Sequence, residues 1–295
     1  MLLNIYRNLV PLSFRQFVYD FFLGRILFFI RNFAVIARAK FTYLFGFLLP
    51  RNEVNNAFAF IGKNGITSYP ADYMLDYMHK DIQVQHDIEL NLPYVNHNGK
   101  RLYFPETFSV DKVKKDYVAL LIEQDSRAAH RYVRSYNELK GKTLLDVGSA
   151  EGIFSLDSIE LVDRVILFEY MESWQKPLQA TFAKWHDKVT IVPKFVGDKT
   201  SGNFVKIDDY LLNESPDNLF IKMDIEGAER MALAGAEKTL ANGKNIQAAI
   251  CTYHKAGDPE YLESLFRKFN FSTEFSEGLM YWNKRLSKGV IRCKK

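Results

Sequence analysis

Cysteine is scarce in these 295 residues: Cys251 and Cys293 stand far apart and form no C-x-x-C pair. That excludes a disulfide framework and a cysteine-built structural zinc site, and it fits a reducing, cytoplasmic compartment. Long apolar runs are also lacking. A spanning helix needs about 20 mostly apolar residues, yet the most apolar segment, residues 21 to 50, is broken by Arg25, Arg31, Arg38 and Lys40. The same breaks spoil the apolar centre of a secretory signal, although Ala37-Arg38-Ala39 resembles a cleavage site. Acids are nearly missing up to position 51, where Asp20 alone stands against Arg7, Arg15, Arg25, Arg31, Arg38, Lys40 and Arg51. The formal charge of +4 therefore belongs to that segment, and the rest of the chain is slightly acidic. This argues against a nucleic-acid surface. No internal repeat or low-complexity tract is visible.

What is present is ample apolar material, 47% of residues, which suffices for a packed core and excludes global disorder. Three regions differ in character: a basic, apolar, helical segment 1–51, an accessory region 52–140 on the substrate side, and a domain 141–295. Two readings of the first region stand. It lies in a membrane interface at the inner face of a membrane, with arginines on anionic headgroups. Or its helices pack on the main domain with the arginines snorkelling. The arginines do not gather on one side of a helix, and Pro11 interrupts the start; the charge asymmetry favours peripheral attachment. In the second region, YVNHNGKRLYF (94 to 104) has the Asn98-Gly99 turn of a hairpin. The stretch from Val110 through Tyr136 has helical spacing at Val113, Tyr117, Leu120 and Leu121, and it carries His130.

From Gly141 onward, strands alternate with helices: TLLDV, RVILFEY, VTIVPKFVGD, NLFIKMDI and IQAAICTYH are strands, and amphipathic stretches, including GAERMALAGAEKTLA as one helix, lie between them. STEFSEGLMYWN reads as a closing strand pair. Alternating βα units make an α/β domain with a mostly parallel sheet and helices on both faces. Ligands of such sheets bind beyond the carboxyl ends of the strands. Those ends carry Asp146 with Gly148, Ser149 and Gly152, then Glu169, then Gly197-Asp198, then Asp224 with Glu226, then Tyr253-His254. Each has a bland alternative: a glycine turn that only lets a helix pack, a solvated acid, an acid suited to a positive helix end (the better reading for Glu229), or a satisfied histidine. Five polar ends in register favour a site.

The loop after TLLDV discriminates between ligands. A dinucleotide loop is G-x-G-x-x-G, and its second glycine lets the backbone approach pyrophosphate. Here Ala150 takes that place and Glu151 adds a negative charge. S-adenosylmethionine has no phosphate and carries an ammonium and a sulfonium, which acids attract. An acid about 20 residues past such a loop, here Glu169, commonly binds ribose hydroxyls.

LLDVGSAEGIFSL, VILFEY, KIDDYL (206 to 211) and IKMDIEGAERMALAGAEKTL together resemble the FkbM-type methyltransferases, with D-I-E-G-A-E at 224 to 229 the most specific part. LIEQDSRAAHRYV, AAICTYHKAGDPEYLESLFRKFNF and GVIRCKK look similar to a subset associated with polysaccharide biosynthesis. The resemblance implies a class I methyltransferase fold with seven strands, the last antiparallel, and S-adenosyl-L-methionine at the strand ends. It implies O-methylation, often of sugars or polyketides, here of a glycan or glycolipid acceptor. It brings no assigned base.

A sugar hydroxyl is a poor nucleophile, so a base helps by about 10²- to 10⁴-fold. His254 is the first candidate, and Asp224 the second, as base or as orienter of the imidazole. Asp224 and Glu226 could instead hold a divalent cation, but no third ligand is evident. His130, after Glu123-Gln124-Asp125, is expected either to reach over the ligand or to sit on a polar helix face. The competing functions are an NAD-dependent oxidoreductase, against which Ala150 and Glu151 speak, and a non-catalytic cofactor-binding protein.

Overall fold

The computed structural model describes residues 24–214 and 216–295. Expectations that rest on Arg7, Pro11, Arg15 and Asp20 lie outside the described residues. The chain falls into two compact units, 1–70 and 71–295.

In the first unit, helix α1 (Gly24–Phe45) packs along α2 (Glu53–Asn64). Asn52 caps α2 by accepting from the Asn55 amide at 2.9 Å. The pair approaches closely where Gly62 lies against the Ala39 carbonyl, and the Arg38 guanidinium stacks 4.0 Å above the Phe58 ring. Among the described residues no helix is long and apolar enough to cross a membrane.

The second unit begins with a small antiparallel sheet of β1 (Val84–Asp87), β2 (Leu92–His97) and β3 (Lys100–Tyr103). Asn98 (φ 52°) and Gly99 (φ 81°) close the β2–β3 hairpin, as that pair predicts. Helix α3 (Val110–Glu123) follows, capped by Ser109. It ends at Glu123, so His130 is not on a helix as its spacing suggests. Turns carry the chain from there, one of them tied by the Asp125 carboxylate accepting from the Arg127 amide at 2.8 Å.

Next come β4 (Thr143–Val147), α4 (Ile153–Ser158), β5 (Arg164–Phe168), α5 (Glu172–Thr181), β6 (Val189–Val192), the short β7 (Phe195–Val196) and β8 (Phe204–Val205), α6 (Ile207–Tyr210), β9 (Leu219–Met223), α7 (Glu229–Ala234), α8 (Glu237–Asn242), β10 (Gln247–Cys251), α9 (Asp258–Lys268), β11 (Ser272–Phe275), β12 (Met280–Trp282), β13 (Arg285–Ser287) and β14 (Val290–Lys294). Seven of the strands make one sheet in the order β11-β14-β10-β9-β4-β5-β6. β10, β9, β4, β5 and β6 run parallel; β14 is antiparallel to both its neighbours. This is an α/β, Rossmann-like sheet of the kind the sequence resemblance implies, with the chain order turning back beside β4 so that a crevice opens there.

Two local expectations change. GAERMALAGAEKTLA is two helices, α7 and α8, because Gly235 presses against the Gly197 carbonyl and the chain bends. The strands within 272–283 do not pair with each other: β11 joins β14, and β12 pairs β13. GVIRCKK becomes an inner strand of the sheet, β14.

The hairpin sheet is held to the large domain by buried polar contacts. His97 Nε2 lies 2.8 Å from Asp157 Oδ1, and its Nδ1 lies 2.9 Å from the Tyr117 hydroxyl. Asp157 also accepts from Tyr136 at 2.9 Å and Asn98 at 3.2 Å. Burial works to raise the Asp157 pKa, but these hydrogen bonds and His97 hold it below the ordinary carboxylate range. Asp157→Ala strips three donors of their shared acceptor. It is expected to lower unfolding stability by about 3 kcal/mol in urea titrations.

Candidate active site

Asp146 is the fourth residue of β4, fully buried and in register with Lys222 on β9. Lys222 Nζ sits 3.0 Å from Asp146 Oδ1 and donates to the Gly148 carbonyl at 2.6 Å. Ser155 donates to the other Asp146 oxygen at 2.6 Å. Burial works to lower the Lys222 pKa, yet Asp146 and Asp224 beside it raise it, so the ammonium stays charged. Asp146 therefore acts through Lys222 and Ser155, anchoring the loop from within.

The loop itself is backbone-specified. Gly148 has φ 75°, and a Cβ there would stand 2.0 Å from the Asp224 carbonyl oxygen. Ala150 is also left-handed, at φ 45°, and its N–H donates to Glu169 Oε2 at 3.0 Å. The other Glu169 oxygen accepts from the Met171 amide at 2.7 Å. A carboxylate has about four acceptor positions, so Glu169 keeps capacity for hydroxyl donors. Ser149 is buried, and its Oγ has no hydrogen-bond partner among the described residues. Gly152 opens α4 against Phe182 and Leu178, a packing role.

Two cavities meet at this loop. The larger, about 500 Å³, runs past Gly148 and Glu169 between Trp174, Ile225 and Met231. Its wall includes Tyr170 and Phe195, whose rings stack 3.9 Å apart. The smaller, about 110 Å³, is bounded by Glu123, Asp146, Ser149, Glu151 and Lys222. Gly148, Ala150 and Asp224 line both. Glu123, Asp146, Glu151, Glu169, Asp224 and Glu226 face the joined space, against Lys194 and Lys222. Burial, with Glu123 close by, pushes the Glu151 carboxyl up to about 8. Asp198 is exposed and does not line the cleft; Lys194, Phe195 and Val196 occupy that edge.

The D-I-E-G-A-E turn presents Asp224 and Glu226. Gly227, at φ 98°, lets the turn lie against the Lys255 and His254 side chains. Glu229 opens α7, at the helix end its sequence reading gave it, and is buried there. Its Oε1 accepts from the Ile225 and Gly227 amides and lies 2.9 Å from His254 Nδ1. His254 Nε2 then points between Asp224 Oδ1 at 3.5 Å and Glu226 Oε2 at 3.6 Å, with no hydrogen-bond partner among the described residues. Burial works to lower the His254 pKa; the Glu229 hydrogen bond and the Asp224 charge raise it above that of a free histidine. Asp224 accepts from the Tyr132 hydroxyl at 3.0 Å and lies 3.3 Å from His130 Nε2. Burial opposes its charge, but His130, Lys222 and His254 hold its pKa well below the carboxylate range.

His130 is enclosed by Tyr253 (3.1 Å), Cys251 (3.4 Å) and Glu123 (3.3 Å). It belongs beneath Asp224, not over a ligand. Asp224, Glu229 and His254 offer ligand atoms within 4.8 Å of one another, as do His130, Asp224 and Cys251. In the first group Glu229 Oε1 is already satisfied by two amides and the imidazole, which suits orientation of a base better than a metal shell. Sequence reasoning missed Lys222 and the part played by Glu229. A lysine inside the buried run LFIKM was the available signal for the first.

Residues 97–281, more than half of the chain, match the family described as the Methyltransferase FkbM domain. Similar solved structures include a methyltransferase FkbM from Methylobacillus flagellatus KT, at 20% identity over 61% of this chain and 52% of that one, TM-score 0.42. An rRNA methylase from Streptococcus thermophilus is 14% identical over 54% of this chain and 91% of that one, TM-score 0.38. A Streptococcus mutans protein in complex with SAH is 13% identical over 55% and 96%, TM-score 0.35. The match thus spans about half the length of the Methylobacillus chain. No curated protein matches.

Asp146→Asn leaves Lys222 buried without its counter-charge and is expected to cost about 3–5 kcal/mol in chemical denaturation. Adding Lys222→Met should recover roughly half of that or more, because the uncompensated charge is gone.

Proposed function

This chain belongs to the FkbM methyltransferase family, and on that premise we propose that it is an S-adenosyl-L-methionine-dependent O-methyltransferase. The acceptor is a hydroxyl of a sugar in a glycan or glycolipid precursor. The observation that carries the reading is the joined, carboxylate-lined cleft, whose residues Asp224 and Glu226 lie 3.5 and 3.6 Å from His254 Nε2. Its larger cavity falls in the range of small-molecule sites, about 300–1,000 Å³. An excess of acids suits a ligand with an ammonium and a sulfonium and opposes a pyrophosphate. Glu169 would hold the ribose hydroxyls, the Tyr170–Phe195 wall would meet the adenine, and the loop at Ser149 to Glu151 would hold the amino-acid end.

When bound, S-adenosylmethionine supplies an electrophilic methyl on its sulfonium. The chain's own task is to place the acceptor oxygen in line and take its proton. His254 Nε2 is the base. Glu229 fixes the ring through Nδ1, the tautomer that leaves Nε2 open to accept. Asp224, kept ionised, stabilises the imidazolium that forms. Tyr253, itself buried, and the half-buried Trp282 lie beside the imidazole, with centroids 4.2 and 5.9 Å from it, and Trp282 is the part of this aromatic wall open to a pyranose face. The polysaccharide-biosynthesis role rests on that aromatic wall and on the sequence resemblance.

Calorimetric titration with S-adenosylmethionine, with NAD as control, tests the reading; binding of NAD in place of S-adenosylmethionine would sink it. His254→Ala should keep cofactor binding while methyl transfer to a sugar acceptor falls about 10²- to 10⁴-fold. The rate should rise with pH through the raised His254 pKa, as the imidazolium loses its proton. Glu229→Gln should move that rise to lower pH, because the hydrogen bond that raises the pKa is weakened. Affinity for the cofactor should also climb with pH through about 8, where Glu151 ionises. In Glu151→Gln that dependence should vanish, and so should the proton release seen on comparing buffers of different ionisation enthalpy.

A further inference from the structure

The helix pair of the first unit has a face that its own packing does not use. Along α1 the buried residues are Ala39 and Thr42, on the side where Gly62 of α2 lies against Ala39. At about 100° per residue, the exposed residues Ile26, Ile30, Phe33, Ala37, Phe41 and Leu44 fall on one stripe. That stripe is about 80° wide and centred roughly opposite Ala39 and Thr42. Phe33 is 58% exposed and Leu44 59%, so the stripe is open over its whole length. The turn after α1 continues it with Phe47, 82% exposed, and Leu48, 70% exposed. Single exposed apolar residues are ordinary, but a contiguous stripe of this size marks a surface that meets another phase or molecule.

The charges decide which. No acid occurs from position 24 to 52, while Arg25, Arg31, Lys40 and Arg51 are exposed. On the helix wheel Lys40 and Arg25 flank the stripe on one side and Arg31 on the other. The basic groups thus straddle the apolar stripe, which is why they share no single face. Long cationic side chains on both shoulders of an apolar stripe match a bilayer surface: the stripe enters the acyl boundary and the heads reach anionic phosphates. A second copy of the same face would bring like charges together and is disfavoured. The helix is too interrupted to span.

We propose that α1 and the Phe47-Leu48 turn form a membrane-docking surface that lies flat on a bilayer containing anionic lipid. It would place the chain on the membrane without a spanning segment. The inference is independent of the methyl-transfer reading, since it rests on residues 24 to 51 alone.

The test is co-sedimentation of the full chain with vesicles of phosphatidylcholine mixed with phosphatidylglycerol, against vesicles of phosphatidylcholine alone. The protein should pellet with the anionic vesicles, and salt should release much of it. Phe33→Glu with Leu44→Glu should abolish pelleting. Both positions are exposed, so circular dichroism and the unfolding midpoint should not change. Lys40→Glu should weaken binding by at least about fivefold, given about 1 kcal/mol per basic residue at such a surface. Equal pelleting of Phe33→Glu/Leu44→Glu and the parent would overturn the proposal, as would no pelleting with anionic vesicles. Lipid-independent self-association that the same pair dissolves would overturn it too, assigning the stripe to a second copy of the chain.

Discussion

The Asp146–Lys222 ion pair is the contact around which the crevice is built. It crosses the two central strands of the sheet at matched register, and both partners are buried. A buried pair of this kind contributes little net stability, because desolvation offsets the attraction. Its value here is positional. The ammonium also holds the Gly148 carbonyl, so the carbonyl is turned inward and the Ala150 N–H is left to Glu169. Remove the charge and the loop has no reason to keep that shape. The rest of the site is then positioned from the loop: Gly148 touches the Asp224 carbonyl, and Asp224 begins the turn that carries Glu226, Gly227 and Glu229.

The same pair explains why so many acids can share one cleft. Lys222 pairs with Asp146 from below, and His130 and Lys222 together keep Asp224 ionised, which leaves little cation for the others. Glu151 receives no such partner and is driven toward its protonated form by burial. The cleft is therefore biased toward a cationic ligand in two ways: by permanent charge at Asp224, and by a carboxyl that gains charge only when a cation arrives to stabilise it.

Much of this was legible in residues. The apolar runs and their polar ends fixed the parallel strands, and Asp146, Ser149, Glu169 and Asp224 do line or support one cleft. Illegible features share a cause: they depend on contacts between distant segments. Asp198 looks equivalent to the other strand-end acids, yet β6 ends early and β7 turns the chain so that Asp198 faces solvent. His130 follows helical spacing, but turns carry it under Asp224 to meet Tyr253 and Cys251. The long helical pattern after Asp224 breaks at Gly235 because another loop occupies the space a straight helix would need. Glu229 reads as an ordinary first-turn acid until β10 brings His254 to it.

The choice between the two bases named from sequence follows from their surroundings. Asp224 lies among His130, Lys222 and His254, which stabilise its charge. A carboxylate so stabilised has a weak appetite for a proton, and Brønsted behaviour makes it a poor general base. His254 has the opposite environment: Glu229 and Asp224 both favour its protonated form, so its proton affinity exceeds that of a free histidine. The ring also has the geometry for the task, with one nitrogen committed to Glu229 and the other unpartnered beside the cleft residues Asp224 and Glu226. What makes Asp224 unfit to take the proton makes it fit to steady the imidazole that does. The low pKa of Asp224 owes most to His130 and Lys222 and the raised pKa of His254 most to Glu229, and the 3.5 Å contact between the two adds to both.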